Sequence, residues 1–271
     1  MKNQNVLHVI STPVVCVAVL CLLSLGCGST SHQGDLPAAT AYGAGSGVAG
    51  QGRGPAPVIL GTSANYAVLA ESTITSVPTS VITGNVGLSP AAGSFIVLSC
   101  PEVSGSAHIY AVDASGPACA VNDAVPGNLT TAITDKNTAR VDANGRAADY
   151  NELGSGLIGG LNLGPATYKW TSDVSITSDL TLTGGPNDVW IFITSKGLTL
   201  SSNVRITLAG GALPANIYWS VAEAATLNTT SAFKGTLISQ TNIAAKTLSV
   251  INGRLLAHTA VTLDSTSVTA P

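Results

Sequence analysis

The stretch ATLNTTSAFKGTLISQTNIAAKTLSVINGRLLAHTAVTLDSTSVT, residues 225–269, decides the fold. Leu227 in ATLNTT, Ala245 in NIAAKT and Leu263 in VTLDST stand 18 residues apart, each after a turn and before a further apolar strand. Within each unit small aliphatic residues alternate with Thr or Ser, the period of two that marks a half-buried strand. A repeat of this length, holding several short strands, predicts a solenoid whose coils each expose the same face. LTLSS around Leu200 joins the series after a longer interval, as an insertion around Gly210-Gly211-Ala212 would produce.

The same alternation runs from Val58 onward, in Leu180-Thr181-Leu182-Thr183 and in Leu198-Thr199-Leu200-Ser201. One segment breaks it. In PGNLTTAITDKNTARVDANGRAADY, residues 126–150, Leu129, Ala132, Ile133, Ala139 and Ala143 fall on one helical stripe, with Asp135, Lys136 and Arg140 off it. The spacing predicts a helix from about Leu129 to Ala143, with room to continue past Gly145, and with its stripe against one side of the solenoid.

The surface is short of charge. Of 271 residues 9% are charged and the formal net charge is −3, whereas ordinary domains carry about 25% Asp, Glu, Lys and Arg. With 11 Lys and Arg against 14 Asp and Glu, there is no basic surface for a nucleic acid. Hydroxyl and amide side chains take the place of charge, as in AATLNTTSAFKG at 224–235.

The N-terminus reads as a targeting segment. Lys2 precedes an apolar run from Val14 to Leu25 that is short for a membrane span, and Ser24 and Gly26 lead to Cys27, so residues 1–27 are a signal peptide. Gly26-Cys27 also resembles a bacterial lipoprotein cleavage site, although Ser24 stands where such sites usually carry Leu. An acylated Cys27 and plain secretion both stay open, and either leaves the domain extracellular or at the cell surface. Residues 28–57 are rich in Gly, Ala, Ser and Pro and read as a flexible tether. The folded domain is then 58–271. Its Cys100 and Cys119 read as a disulfide in an exported protein, with two buried thiols as the alternative. A bridge over a loop of this size stabilises by roughly 3 kcal/mol in the chain-entropy model.

Four stretches carry a family resemblance. They are LGTSANYAVLAESTITSVPTSVITGNVGLSP at 60–90, GGPNDVWIFITSKGLTL at 184–200, NIYWSVAEAATLNTTSAFKGTLIS at 216–239 and NGRLLAHTAVTLDSTSVT at 252–269. In this order they resemble the microbial ice-binding proteins of the discontinuous β-solenoid type, across about 58–271. The resemblance implies a mainly β fold, a right-handed three-faced discontinuous β-solenoid with one long α-helix packed alongside, in which the first strands pair beside C-terminal coils. It implies an ice crystal surface as the partner. No cofactor or metal is expected, and the chain is expected to act as a monomer that meets a membrane only through a lipid on Cys27. SCPEVSGSAHIYAVDASGPACAV, residues 99–121, departs from the family pattern with its two cysteines, so the cap loop is expected to be stapled.

Strand geometry gives the chemistry. Residues i and i+2 of a strand stand about 7 Å apart and equivalent residues of stacked coils about 4.8 Å apart, which makes a flat lattice. Thr suits it, being stiff at χ1, so its methyl and hydroxyl stay in place. Such a surface can hold a layer of ordered water and bind ice through many weak contacts. In the family the ice-binding face carries the strand after each repeat's apolar anchor. Coil by coil this implies Thr73, Thr75 and Ser76, with Thr79 beyond, then Thr199 and Ser201, Thr226, Asn228 and Thr229, Thr247 and Ser249, and Thr262, Ser265 and Thr266. Ala244, Lys246 and Asp264 interrupt the pattern. The same composition suits a non-catalytic structural or adhesive surface domain, because Thr is favoured on strands in any case.

Catalysis has no visible machinery. Asp179, Asp188, Glu223 and Asp264 are scattered one per strand or loop, and a glycosidase needs convergent carboxylates. Beyond the signal His32 lies in the tether, while His108 and His258 stand alone, so metal or triad chemistry lacks partners. No GxSxG motif occurs. The GxGxxG matches at Gly45–Gly50 and Gly154–Gly159 do not link a strand to a long helix. Trp170, Trp190 and Trp219 read as core residues, and Asp188 as the shaper of a turn.

Overall fold

A computed structural model describes residues 52–77, 80–123 and 128–271. The signal peptide, Cys27, the tether up to residue 51 and Thr79 lie outside the described residues. The chain forms short parallel strands stacked into three faces with a helix on one of them, the architecture expected from the sequence. One turn of the coil shows how. Ile217–Val221 lies on the face under the helix, Ala225–Leu227 on a first open face, and Ala232–Ser239 begins on a second open face before running into the covered one. The corner inside that last strand depends on glycine. Val250–Ala257 repeats it one coil on, pairing Val250, Ile251 and Asn252 with Ser267–Thr269 but Leu255 and Leu256 with Val68 and Leu69. A Cβ on Gly253 would come 1.8 Å from the Gly235 carbonyl oxygen, so the two stacked strands can change face together only with glycine there.

Chain order and spatial order differ. Tyr66–Ala70 lies between Val250–Ala257 and Asn85–Leu88, and Thr73–Val77 pairs with Ala260–Asp264, so the N-terminal coils stack on the C-terminal ones. Parallel pairing shifts register between Tyr66 and Val68 against the Asn85–Leu88 strand, but keeps it through the central coils, which puts identical positions one above another. In the interior this produces an aromatic column: Tyr150 and Tyr168 stack at 5.0 Å, Tyr168 and Phe192 at 5.2 Å, Phe192 and Trp219 at 4.0 Å. All three tryptophans, with Leu227 and Phe233, are buried in this core.

The helix α1 spans Asn128–Gly145, starting one residue before the expected Leu129 and ending at Gly145 without continuing past it. Leu129, Ala132, Ala139 and Ala143 pack into a cluster with Leu69, Ile193, Tyr218, Ile238 and Leu256, which seals the covered face. Lys136, expected off this stripe, is 1% exposed. Its Nζ donates to Glu71 Oε1 at 2.6 Å and to the Ala257 carbonyl at 2.8 Å. Burial pushes the Lys136 pKa below its ordinary value, against the bond to Glu71, which raises it. His258 approaches the same Glu71 oxygen at 2.8 Å, a partner the sequence did not reveal.

The cap is fastened twice. Cys100 and Cys119 form the expected disulfide. Two residues on, the buried Glu102 accepts from Ser76 Oγ, from the Ser80 backbone and from both the backbone and side chain of Ser99. Burial alone would raise the Glu102 pKa, but these bonds outweigh it and hold the carboxyl below its usual range. At the other end of the solenoid, within the stretch read as tether, Arg53 is docked: Val189 N donates to its carbonyl at 2.9 Å, and its own N–H donates to the buried Asp188 carboxylate at 2.6 Å.

Candidate functional site

The first open face is built from seven parallel strands in an unbroken ladder. In spatial order these are Val174–Ile176, Leu198–Leu200, Ala225–Leu227, Ile243–Ala245, Ala260–Asp264, Thr73–Val77 and Ile96–Val97. The alternation fixes which side chains point out. Val174, Leu198, Ala225, Ile243, Val261, Ile74 and Ile96 turn into the core, as do Ile176, Leu200, Leu227, Ala245 and Leu263. Between them the register aligns a single outward row: Ser175, Thr199, Thr226, Ala244, Thr262, Thr75 and Val97. No member of this row carries a charge. Neighbouring members stand about 4.8 Å apart, the spacing of paired strands, and Thr75 Oγ1 reaches Thr262 Oγ1 at 3.3 Å.

Residues flanking the row are held by local bonds. Thr73 Oγ1 donates to the Phe95 carbonyl at 2.8 Å, and Asn228 Nδ2 to the Leu200 carbonyl at 3.0 Å, across neighbouring coils. Thr229 is exposed and Ser201 half-buried at the end of their strands. Asp264 is engaged by Thr247 Oγ1 at 2.5 Å, so this charge is tied to the neighbouring coil. Lys196 and Glu223, just ahead of the strands, pair at 3.0 Å. Lys246 is exposed beside the row.

Four of the coils leave this face through a left-handed corner. Asn203, Thr230, Leu248 and Ser265 all have positive φ, from 46° to 64°. Only Asn favours that conformation among these four types, so the corner has no sequence signature beyond its place in the repeat.

Five of the expected contact residues therefore share the open lattice: Thr73, Thr75, Thr199, Thr226 and Thr262. Ser201, Asn228, Thr229, Thr247 and Ser265 border it. Three do not face outward. Ser249 and Thr266 are each 1% exposed, their hydroxyls 3.2 Å apart inside the corner. Ser76 turns to Glu102 and Ser80 in the cap. The expectation fails for Ser249 and Thr266 because the chain has left the alternating strand before it reaches them, and for Ser76 because alternation within Thr73–Val77 turns it away from the side that Thr73 and Thr75 present. Ser175 and Val97, which the sequence reading passed over, complete the row. VSI at 174–176 has the same alternation and could have been found by it.

The second open face uses similar residues but is interrupted. Asn162, Thr181 and Thr207 align on one sheet, and Lys234, Asn252, Thr269, Thr83 and Ser104 on another. Between the strands Ile206–Ala209 and Ala232–Ser239 only an isolated bridge, Arg205 to Ala232, connects them. Exposed Asp179 and Arg205, with Lys234 in the row itself, add charge there.

Comparison with known proteins bears on the family and the fold. A family profile described as Ice-binding-like matches residues 68–269. An ice-binding protein of Flavobacterium frigoris (strain PS1) is 51% identical over 215 residues, covering 79% of this chain and 76% of the relative. One from Colwellia sp is 46% identical, over 80% of this chain and 85% of its own. Among solved structures, a glycosylated ice-binding protein from an Arctic yeast superposes with a TM-score of 0.74 at 36% identity, over 80% of this chain and 95% of that one.

Proposed function

The chain belongs to the Ice-binding-like family, and on that premise we propose that it binds ice through its first open face. The observation that carries the assignment to this face is the seven-strand register, which holds one uncharged row of mostly hydroxyl side chains without a break. Ice presents a repeating plane, so a binder needs many equivalent weak contacts at fixed spacing. Branched Thr side chains on paired strands supply them, and the absence of charge from the row lets the water over it order as a layer. Ala244 removes one hydroxyl but keeps the flatness, and Lys246 and Asp264 stand beside the row.

Catalysis is not part of this reading. The carboxylates of the solenoid serve as structural acceptors: Asp188 for Arg53 and Gly185, Asp179 for Arg205, Asp173 for Gly197. The signal-like N-terminus supports an extracellular or surface-held protein, with Cys27 either acylated or removed, and the mass of the exported chain separates the two. A monomer is sufficient, because the face is complete within one chain. The test is ice-crystal morphology and recrystallisation in a solution of the domain. Faceted crystals and arrested grain growth are expected, and round crystals with normal coarsening would reject the proposal.

A further inference from the structure

A cleft lies away from both open faces, at the end of the covered sheet beside the first turn of α1. It holds about 330 Å3 and is lined by Thr62, Asn65, Tyr66, Asn85, Tyr110 and Asn128. The sheet builds its floor: Tyr66 pairs with Asn85, and Gly87 on that second strand pairs with Tyr110. Gly87 makes room for the Tyr66 ring, since a Cβ there would come 2.6 Å from it. Tyr110 meets Tyr66 edge-on at 5.9 Å, and His108 tilts against Tyr110 at 5.9 Å. Asn85 is committed to the scaffold, donating to the Asn65 carbonyl at 3.0 Å and accepting from His108 N at 2.9 Å.

Tyr66 is the anomaly. It is 4% exposed, yet among the described residues its hydroxyl makes no hydrogen bond. Burial, then the charge of Asp123, then Tyr110 push its pKa up to about 12, so the phenol keeps its proton and remains a donor. The hydroxyl is not among the sealed, unpaired polar atoms of the described residues, so although the residue is mostly buried its oxygen opens to the cleft that Tyr66 lines, where a ligand group can meet it.

We propose that this cleft binds a neutral saccharide. Tyr66 would donate to a sugar hydroxyl, and the side-chain amides of Asn65 and Asn128 can both donate and accept. The half-exposed Tyr110 ring, backed by His108, offers an apolar surface to the C–H face of a pyranose. Among the described residues no Lys or Arg lines the cleft, and the Asp123 carboxylate lies close enough to raise the Tyr66 pKa, which disfavours an anion. The volume falls at the lower end of the range for small-ligand sites, about 300–1,000 Å3, and suits one or two sugar rings. Occupancy would leave the open lattice free, since the cleft lies on another face.

Saturation-transfer NMR on the full folded chain tests this with glucose, galactose, mannose and cellobiose as probes and glucuronic acid as the charged control. At least one neutral sugar is expected to bind, with glucuronic acid weaker. Tyr66→Phe, which deletes only the hydroxyl, and Tyr110→Ala should each weaken binding about tenfold, while ice-growth activity and melting of Tyr66→Phe stay as in the parent. Absence of binding by every neutral probe, preference for glucuronic acid, or unchanged affinity in Tyr66→Phe would overturn it, the last two by showing that the sugar is held elsewhere or by charge.

Discussion

The two open faces are made of the same residue types and differ in continuity. On one, seven strands keep register and align Ser175, Thr199, Thr226, Ala244, Thr262, Thr75 and Val97. On the other, Thr181 and Thr207 are separated from Asn252, Thr269 and Thr83 by a single bridge and by Lys234. Threonine content alone would not choose between them. An extended flat contact needs equivalent positions that stay equivalent from coil to coil, and the corner at Gly235 and Gly253 spends part of the second face's strands on the covered sheet.

The largest expected effect comes from that corner. Gly253→Ala forces a methyl into the Gly235 carbonyl oxygen, at 1.8 Å in the present geometry. Overpacking of this kind costs about 1–3 kcal/mol, and more where only backbone can yield. Denaturant unfolding should show a loss at or above the top of that range, and a loss under 1 kcal/mol would mean the corner is softer than it looks.

Next in size is the carboxylate that joins the two faces at the capped end. Glu102 binds Ser76 on the first face and Ser80 just before the Val81–Thr83 strand of the second. Its folded pKa is depressed, so the stabilisation is present above the unfolded value, about 4.3, and is lost as pH falls through the folded value. Melting temperature should therefore drop between about pH 4.3 and more acidic values, and Glu102→Gln should remove part of that dependence while lowering stability at neutral pH.

The smallest structural effect should carry a functional gain. Ala244→Thr places a hydroxyl in the one gap between Thr226 and Thr262, at a half-exposed position, with a stability change within about 0.5 kcal/mol. Thermal hysteresis should rise. A fall would show that the row needs a small residue there.

Much of the fold was legible because a repeat states its own period. The strands and the helix follow from alternation and stripe; the three buried tryptophans follow from the usual place of such large side chains, and the disulfide from the two cysteines left in the folded part of a chain read as exported. Coil order was not, because pairing of Thr75 with Thr262 across the chain leaves no local trace and entered only through family resemblance. For the site, the coil-by-coil mapping that the family resemblance implies matches the outward row at Thr199, Thr226 and Thr262, where strands are regular and alternation holds. It failed at Ser249 and Thr266, where the left-handed corners at Leu248 and Ser265 turn the chain and send neighbouring hydroxyls inward. Lys136 failed for a different reason: its helical position looked polar, but Glu71 and the Ala257 carbonyl supply a buried partner that no window of sequence contains.

The central claim is that ice is held by the unbroken row and not by threonine wherever it is exposed. Thermal hysteresis of Thr226→Tyr beside Thr83→Tyr tests it, each placing a bulky ring on one open face at a position paired on both sides. Thr226→Tyr should lose most of the parent's activity and Thr83→Tyr should keep it, with both melting like the parent. Retained activity in Thr226→Tyr, or loss in Thr83→Tyr, would contradict the account.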